Sequence, residues 1–192
     1  ISATLTTLFM GAYSDKIGKR KIFICGGYIL WGLSIMAFAL LKVENLSKIF
    51  GQTINAFALG VGLTIGFDCL MTFFGSTAND AAFNAWMTDT TDTTNRGKVE
   101  GVNSAMPLIA ILVVFGGKML VEGSPHEWTI IFLTIGIIIL LVGIIGIFII
   151  KEPQLEVKNE PYFKNIFYGF RPSIIKKNSL LYIFLLGMCI FS

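Results

Sequence analysis

Residues 128–150 run for 23 positions without a charged side chain. At 1.5 Å per residue, an α-helix of that length crosses the roughly 30 Å hydrocarbon core of a bilayer. Residues 22–41 do the same in 20 positions, and their glycines (Gly26, Gly27, Gly32) suit the close helix packing that lipid favours. Only 14% of the chain is charged and 54% is hydrophobic. Soluble domains carry about a quarter charged residues. The fold class that follows is all-α and polytopic.

The other apolar runs set the order of crossings. Residues 1–10 read as the inner end of one helix. After the run at 22–41 comes a polar turn at 42–48. The moderately apolar stretch 49–62 then lies at the interface or lengthens the next helix. Residues 63–86 form a further crossing that holds Asp68 and Asp80. A polar link at 87–98 leads into residues 99–121, where Pro107 predicts a kink. The tight turn 122–127 contains His126, read as a solvated loop residue, and Trp128 anchors the following helix at the interface. Residues 151–178 form a long basic loop, and 179–192 begin another helix. Both ends fall inside apolar runs, so the sequence reads as part of a longer membrane protein. Residues 1–10 lack the basic leader of a cleavable signal peptide.

Charge orients these crossings. Residues 11–21 read Gly-Ala-Tyr-Ser-Asp-Lys-Ile-Gly-Lys-Arg-Lys, a basic turn framed by Gly11 and Gly18. Lys and Arg resist translocation, which places this turn on the cytoplasmic side. Alternation then puts Lys16, Lys19, Arg20, Lys21, Arg96, Lys98, Lys151, Lys158, Lys164, Arg171, Lys176 and Lys177 inside. Only Lys42, Lys48 and Lys118 of the 15 cations fall outside. The expected location is the cell (inner) membrane, as a multi-pass protein in contact with the lipid bilayer.

Several classes of function are disfavoured. A net charge of +3 with no basic and aromatic stripe does not point to a nucleic-acid partner. Cys25, Cys69 and Cys189 show no metal-ligand spacing, and their odd number argues against a disulfide framework. No metal site and no cofactor are expected. ATP hydrolysis is disfavoured because no G-x-x-x-x-G-K-S/T loop is present.

Gly11, Asp15, Lys16, Gly18, Lys19, Arg20 and Lys21 resemble the G-x-x-x-D-R/K-x-G-R/K-R-R/K signature of the major facilitator superfamily. In that family the signature joins the second and third of twelve membrane helices. The resemblance implies a fragment of a twelve-helix fold. Residues 1–150 would run from the end of helix two to helix six of the N-terminal half. Residues 151–178 would be the cytoplasmic loop between the halves, and 179–192 the start of helix seven. It also implies secondary active transport by alternating access, and no enzyme activity. Gly11, Asp15, Gly18 and Arg20 would form a conformational latch, with Asp15 facing the positive end of a helix from the second half. The alternative reading is a generic basic turn that anchors the helices. Asp89, Asp92, Arg96 and Glu100 lie at the same surface and either join the latch or stay solvated. Helix capping is the simpler reading for Asp89 and Asp92.

The chemistry is expected around Asp80. A carboxylate in mid-membrane costs about 2.5–3.5 kcal/mol on insertion scales and marks a functional site by default. Helical spacing groups Asn79, Asp80, Phe83, Asn84 and Met87 on one face, with Ser76 a turn before. Trp86 lies off that face as an interfacial anchor. The stretch resembles the glycoside–pentoside–hexuronide cation symporter branch, that of melibiose permease, in which an Asp of helix four serves sugar and cation binding. That resemblance implies Asp80 for this role, with Asn84 beside it. The branch also carries acids in helix two, where this chain has Ala3 and Thr7. The alternative for Asp80 is a solvated helix end. Asp68, nearer the outer end, is a further candidate or a hydrated residue at the mouth.

The expected function is therefore cation-coupled transport of a small polar solute, a sugar or glycoside, with H⁺ or Na⁺ as coupling cation. A proton-coupled exporter of drugs or lipids is the alternative within the superfamily. A membrane-embedded, Mg-dependent prenyltransferase would use paired carboxylates such as Asp89 and Asp92, yet it wants a second Asp-rich motif and leaves the basic signature unexplained. A non-transporting scaffold or sensor would not need the polar face at 79–84.

Overall fold

The computed structural model describes residues 2–41, 56–152 and 171–191. The expected turn at 42–48, the first part of 49–62 and most of the loop 151–178 lie outside them. Among the described residues every regular element is helical. In order they are α1 (Ser2–Ile17), α2 (Arg20–Phe38), α3 (Ala56–Gly75), a π-helical segment (Ser76–Phe83), α4 (Asn84–Thr90), α5 (Arg96–Val121), α6 (Glu127–Ile149), α7 (Pro172–Lys177) and α8 (Ser179–Phe191). Among the described residues, four stretches are long and apolar enough to cross a membrane: Arg20–Phe38, Phe57–Thr90, Arg96–Val121 and Glu127–Ile149.

Two boundaries differ from the sequence expectation. The basic turn is mostly helix, because α1 continues to Ile17 and only Gly18 and Lys19 separate it from α2. Gly18 stops α1 in the left-handed region (φ 68°), and its N–H donates to the Ser14 carbonyl at 2.9 Å. Glycine suits that position because it has no Cβ to clash. The third crossing is also longer than 63–86, for α3, the π segment and α4 form one continuous span. The start of the expected polar link at 87–98 is therefore helical, and hydroxyl residues are accommodated along the span. They bond back within the helix, Thr77 to the Phe73 carbonyl (2.7 Å), Thr88 to Asn84 (3.0 Å) and Thr90 to Trp86 (2.8 Å).

Helix α2 is the hub. It packs along α6 with backbones in contact. A Cβ placed on Gly32 would lie 2.7 Å from the Gly136 carbonyl oxygen, and one on Gly143 would lie 2.9 Å from the Ile29 nitrogen. Against the π segment, a Cβ on Gly27 would lie 2.7 Å from the Ala78 Cβ. In lipid no hydrophobic force draws helices together, so small residues that permit dense contact determine which faces pair. Gly26, by contrast, faces open space. The tightest interior is Ile24, Ala78 and Ala82, with Ser14 among them. Helix α5 buries no residue and keeps Pro107 within it. Its exposed Leu108, Leu112, Val113 and Leu120 make an apolar surface fit for hydrocarbon. Near the turn between α5 and α6, the Lys118 ammonium sits over the Trp128 ring at 5.6 Å.

Candidate functional site

Asp80 belongs to the π-helical segment, not to a helix end. The helix continues for ten residues to Thr90, about 15 Å along the axis. A π turn replaces i→i+4 bonding with i→i+5, and such turns recur at functional sites. Here the Asn84 N–H reaches back to the Asn79 carbonyl. The wider turn also redraws the expected face. Asn79, Asp80 and Asn84 are exposed together, while Ser76, Ala78, Ala81, Ala82 and Met87 are buried against the neighbouring helices. Ser76 and Met87 therefore leave the expected stripe. The corrected stripe is polar.

Hydrogen bonds tie these side chains together. Asn79 Nδ2 donates to Asp80 Oδ1 at 3.2 Å, and Asn84 Nδ2 donates to the Asp80 carbonyl at 3.2 Å. From α2, the Tyr28 hydroxyl donates to Asn79 Oδ1 at 3.1 Å. Tyr28 was not among the sequence candidates. Its signal is slight: a phenol inside an uncharged run.

Aromatic residues flank the stripe. Phe83 and Trp86 stack at 5.9 Å, and Trp86 Nε1 donates to the Lys151 carbonyl at 3.0 Å. An open cavity of about 560 Å³ beside them is lined by Phe83, Trp86, Lys98, Asn103 and Met106, among others. Asp68 does not join this site. It lies twelve residues earlier on the same span, about 18 Å away by helix rise. Among the described residues no cluster of three or more His, Cys, Asp or Glu side chains is placed to hold a metal ion.

The second constellation is at the basic end. Arg20 is only 5% exposed, although it opens α2 inside the charged signature. Its guanidinium bonds Ser14 Oγ (2.5 Å), Asp15 Oδ1 (2.5 Å) and Asp89 Oδ2 (3.1 Å). Ser14 in turn donates to the Gly11 carbonyl at 3.1 Å. Glu152, just beyond α6, accepts the Arg20 N–H and, at 3.3 Å, the Lys21 N–H, so its carboxylate caps the positive end of α2. One arginine thus joins α1, α4 and, through its backbone, the segment after α6.

This arrangement corrects the simpler reading of Asp89. It is an ion-pair partner, not a cap. Asp15 likewise finds its partner within the same basic cluster, in Arg20. Gly11 lies near Ala81, with 4.0 Å from an added Cβ to the Ala81 Cβ. Asp92 stays in the turn before α5, where its carbonyl accepts the Asn95 and Arg96 N–H groups. Arg96 donates to the Thr88 carbonyl (2.9 Å) at the C-terminal end of α4, and the Glu100 carbonyl accepts the Ser104 hydroxyl. Neither Asp92 nor Glu100 meets Arg20. Glu152 was missed because its partners lie more than 130 positions away in the chain, whereas Ser14 was passed over inside the basic turn that holds both its partners, Gly11 and Arg20.

Long apolar helices joined at a charged end, with a hydrogen-bonded polar cluster inside one span, define a multi-pass membrane protein. The chain belongs to the Major Facilitator Superfamily, whose family model matches residues 1–192. Members of that family are transporters, not enzymes. No curated protein and no solved structure matched the chain.

Proposed function

We propose that the protein moves a small polar solute, of sugar or glycoside type, across the cell (inner) membrane by alternating access coupled to H⁺ or Na⁺. The observation that carries this reading is Asp80, held with Asn79 and Asn84 inside the long, mostly apolar span Phe57–Thr90, ten residues before its end. A carboxylate there needs a partner, and a cation or a hydroxylated solute supplies one. The stacked Phe83–Trp86 pair offers a flat apolar face beside polar groups, which suits a sugar ring. Two halves rocking about a midplane site is the general scheme for such transporters. Arg20, with Gly11, Asp15 and Gly18, serves as the latch at the cytoplasmic end. The glycoside symporter branch is the nearest chemical fit to Asp80.

A second reading, a proton-coupled exporter of drugs or lipids, is favoured by α1. Its Ala3 and Thr7 stand where the symporters carry acids, and the Thr7 hydroxyl donates to the Ala3 carbonyl at 2.9 Å. Uptake of labelled glycosides by membrane vesicles, under imposed Na⁺ or H⁺ gradients, separates the two. Gradient-driven uptake that is lost in Asp80→Asn supports the symporter. Unchanged uptake in that variant removes Asp80 from the coupling site. Absence of glycoside uptake under both gradients favours export.

A further inference from the structure

We infer that Tyr28 and Asn79 form a switch that reports the charge on Asp80 to helix α2, with Tyr28 as the positioning residue. The inference rests on Asp80 being the coupling carboxylate. An ionised carboxylate only accepts hydrogen bonds. Asn79 must therefore turn its NH₂ toward Asp80, where Nδ2 lies 3.2 Å from Oδ1. That leaves Asn79 Oδ1 facing Tyr28, and the phenol at 3.1 Å has to donate to it.

Neutralising Asp80 removes this constraint. With H⁺ bound, the carboxylic acid donates and Asn79 Oδ1 can turn to accept from it. With Na⁺ bound, Oδ1 can turn to join the carboxylate as a second hard oxygen ligand. In either case Nδ2 swings to Tyr28, and the phenol oxygen changes from donor to acceptor. A phenol can play both parts.

Tyr28 is well placed for this because its backbone is held on two sides. Gly27 lies against Ala78 of the π segment, and a Cβ on Gly143 of α6 would lie 3.0 Å from the Tyr28 Cβ. Its ring also rests beside Trp31 at 5.7 Å. The clamp fixes the phenol, so the amide between it and Asp80 is the part that turns. Cation loading in the third span is thereby felt by α2, the helix that begins at Arg20.

The test is infrared difference spectroscopy on the full-length protein in membranes, recorded on adding Na⁺ and, separately, on lowering pH without Na⁺. The expected result is a carboxyl band that is lost in Asp80→Asn, accompanied by a tyrosine C–O band that shifts as the phenol changes role. The tyrosine band should vanish in Tyr28→Phe and in Asn79→Ala, while the Asp80 carboxyl band remains in both. A carboxyl response without a tyrosine shift, or a tyrosine shift that survives Asn79→Ala, overturns the switch alone. Absence of any band assignable to Asp80 overturns the coupling role as well.

Discussion

Arg20 and Asp89, 69 positions apart in the chain, meet at 3.1 Å in a half-buried contact at the charged end. Their side chains are 7% and 23% exposed, whereas Asp15, the other carboxylate on Arg20, is 62% exposed. Solvent screens an exposed ion pair to about 0–1 kcal/mol. A covered, charged hydrogen bond contributes about 1.5–3 kcal/mol.

Asp89→Asn should therefore destabilise the protein by about 2 kcal/mol, and Asp15→Asn by less than about 1 kcal/mol. Arg20→Gln should cost more than either, about 3 kcal/mol or above, because it leaves two carboxylates without their cation. Unfolding of the three variants in detergent checks the ranking. Equal losses for Asp15→Asn and Asp89→Asn would contradict the burial argument.

The glycines of α2 make a matched pair of tests. Gly32→Ala drives a methyl into the Gly136 backbone and should cost about 1–3 kcal/mol. Gly26→Ala meets nothing within 4 Å, so it should stabilise by up to about 1 kcal/mol through helix propensity. Thermal midpoints should move in opposite directions.

Gly18→Ala should destabilise by about 1–2 kcal/mol, since alanine disfavours the left-handed φ of 68°. Gly18→Asn should recover part of that loss, as Asn tolerates this region. A harmless Gly18→Ala would mean that the α1–α2 junction adopts another backbone path.

Glu152→Ala should fray the first turn of α2, because its carboxylate accepts both the Arg20 and Lys21 N–H groups. Hydrogen exchange at residues 20–22 should quicken several-fold, in line with a cap worth about 1 kcal/mol. Protection in the middle of α2, around Ile29, should stay unchanged. Loss of protection there as well would show that Glu152 supports the whole helix and not its end.

The crossings themselves were readable along the chain, because a bilayer demands long uncharged runs and penalises translocated cations. The runs at 22–41 and 128–150 correspond to α2 and α6 within a few residues. The basic signature at Gly11–Lys21 carried the family. Asp80, Asn79 and Asn84 were readable as a polar patch, since an acid in an apolar stretch is conspicuous. The helix-based face was misjudged at Ser76 and Met87 because an i→i+5 turn leaves no plain mark in residue type.

What the amino-acid order determined, then, was which segments cross, which end is charged and where the acid within the long span lies. These are one-dimensional properties set by transfer energies of single residues. Only the tertiary structure decided that Arg20 pairs with Asp89, that Tyr28 reaches Asn79, and that Glu152 caps α2. Each of those contacts joins segments brought together by glycine-mediated backbone packing, such as Gly27 on Ala78 and Gly32 on Gly136. In lipid the choice of facing surface depends on fit between helices, which no single segment contains.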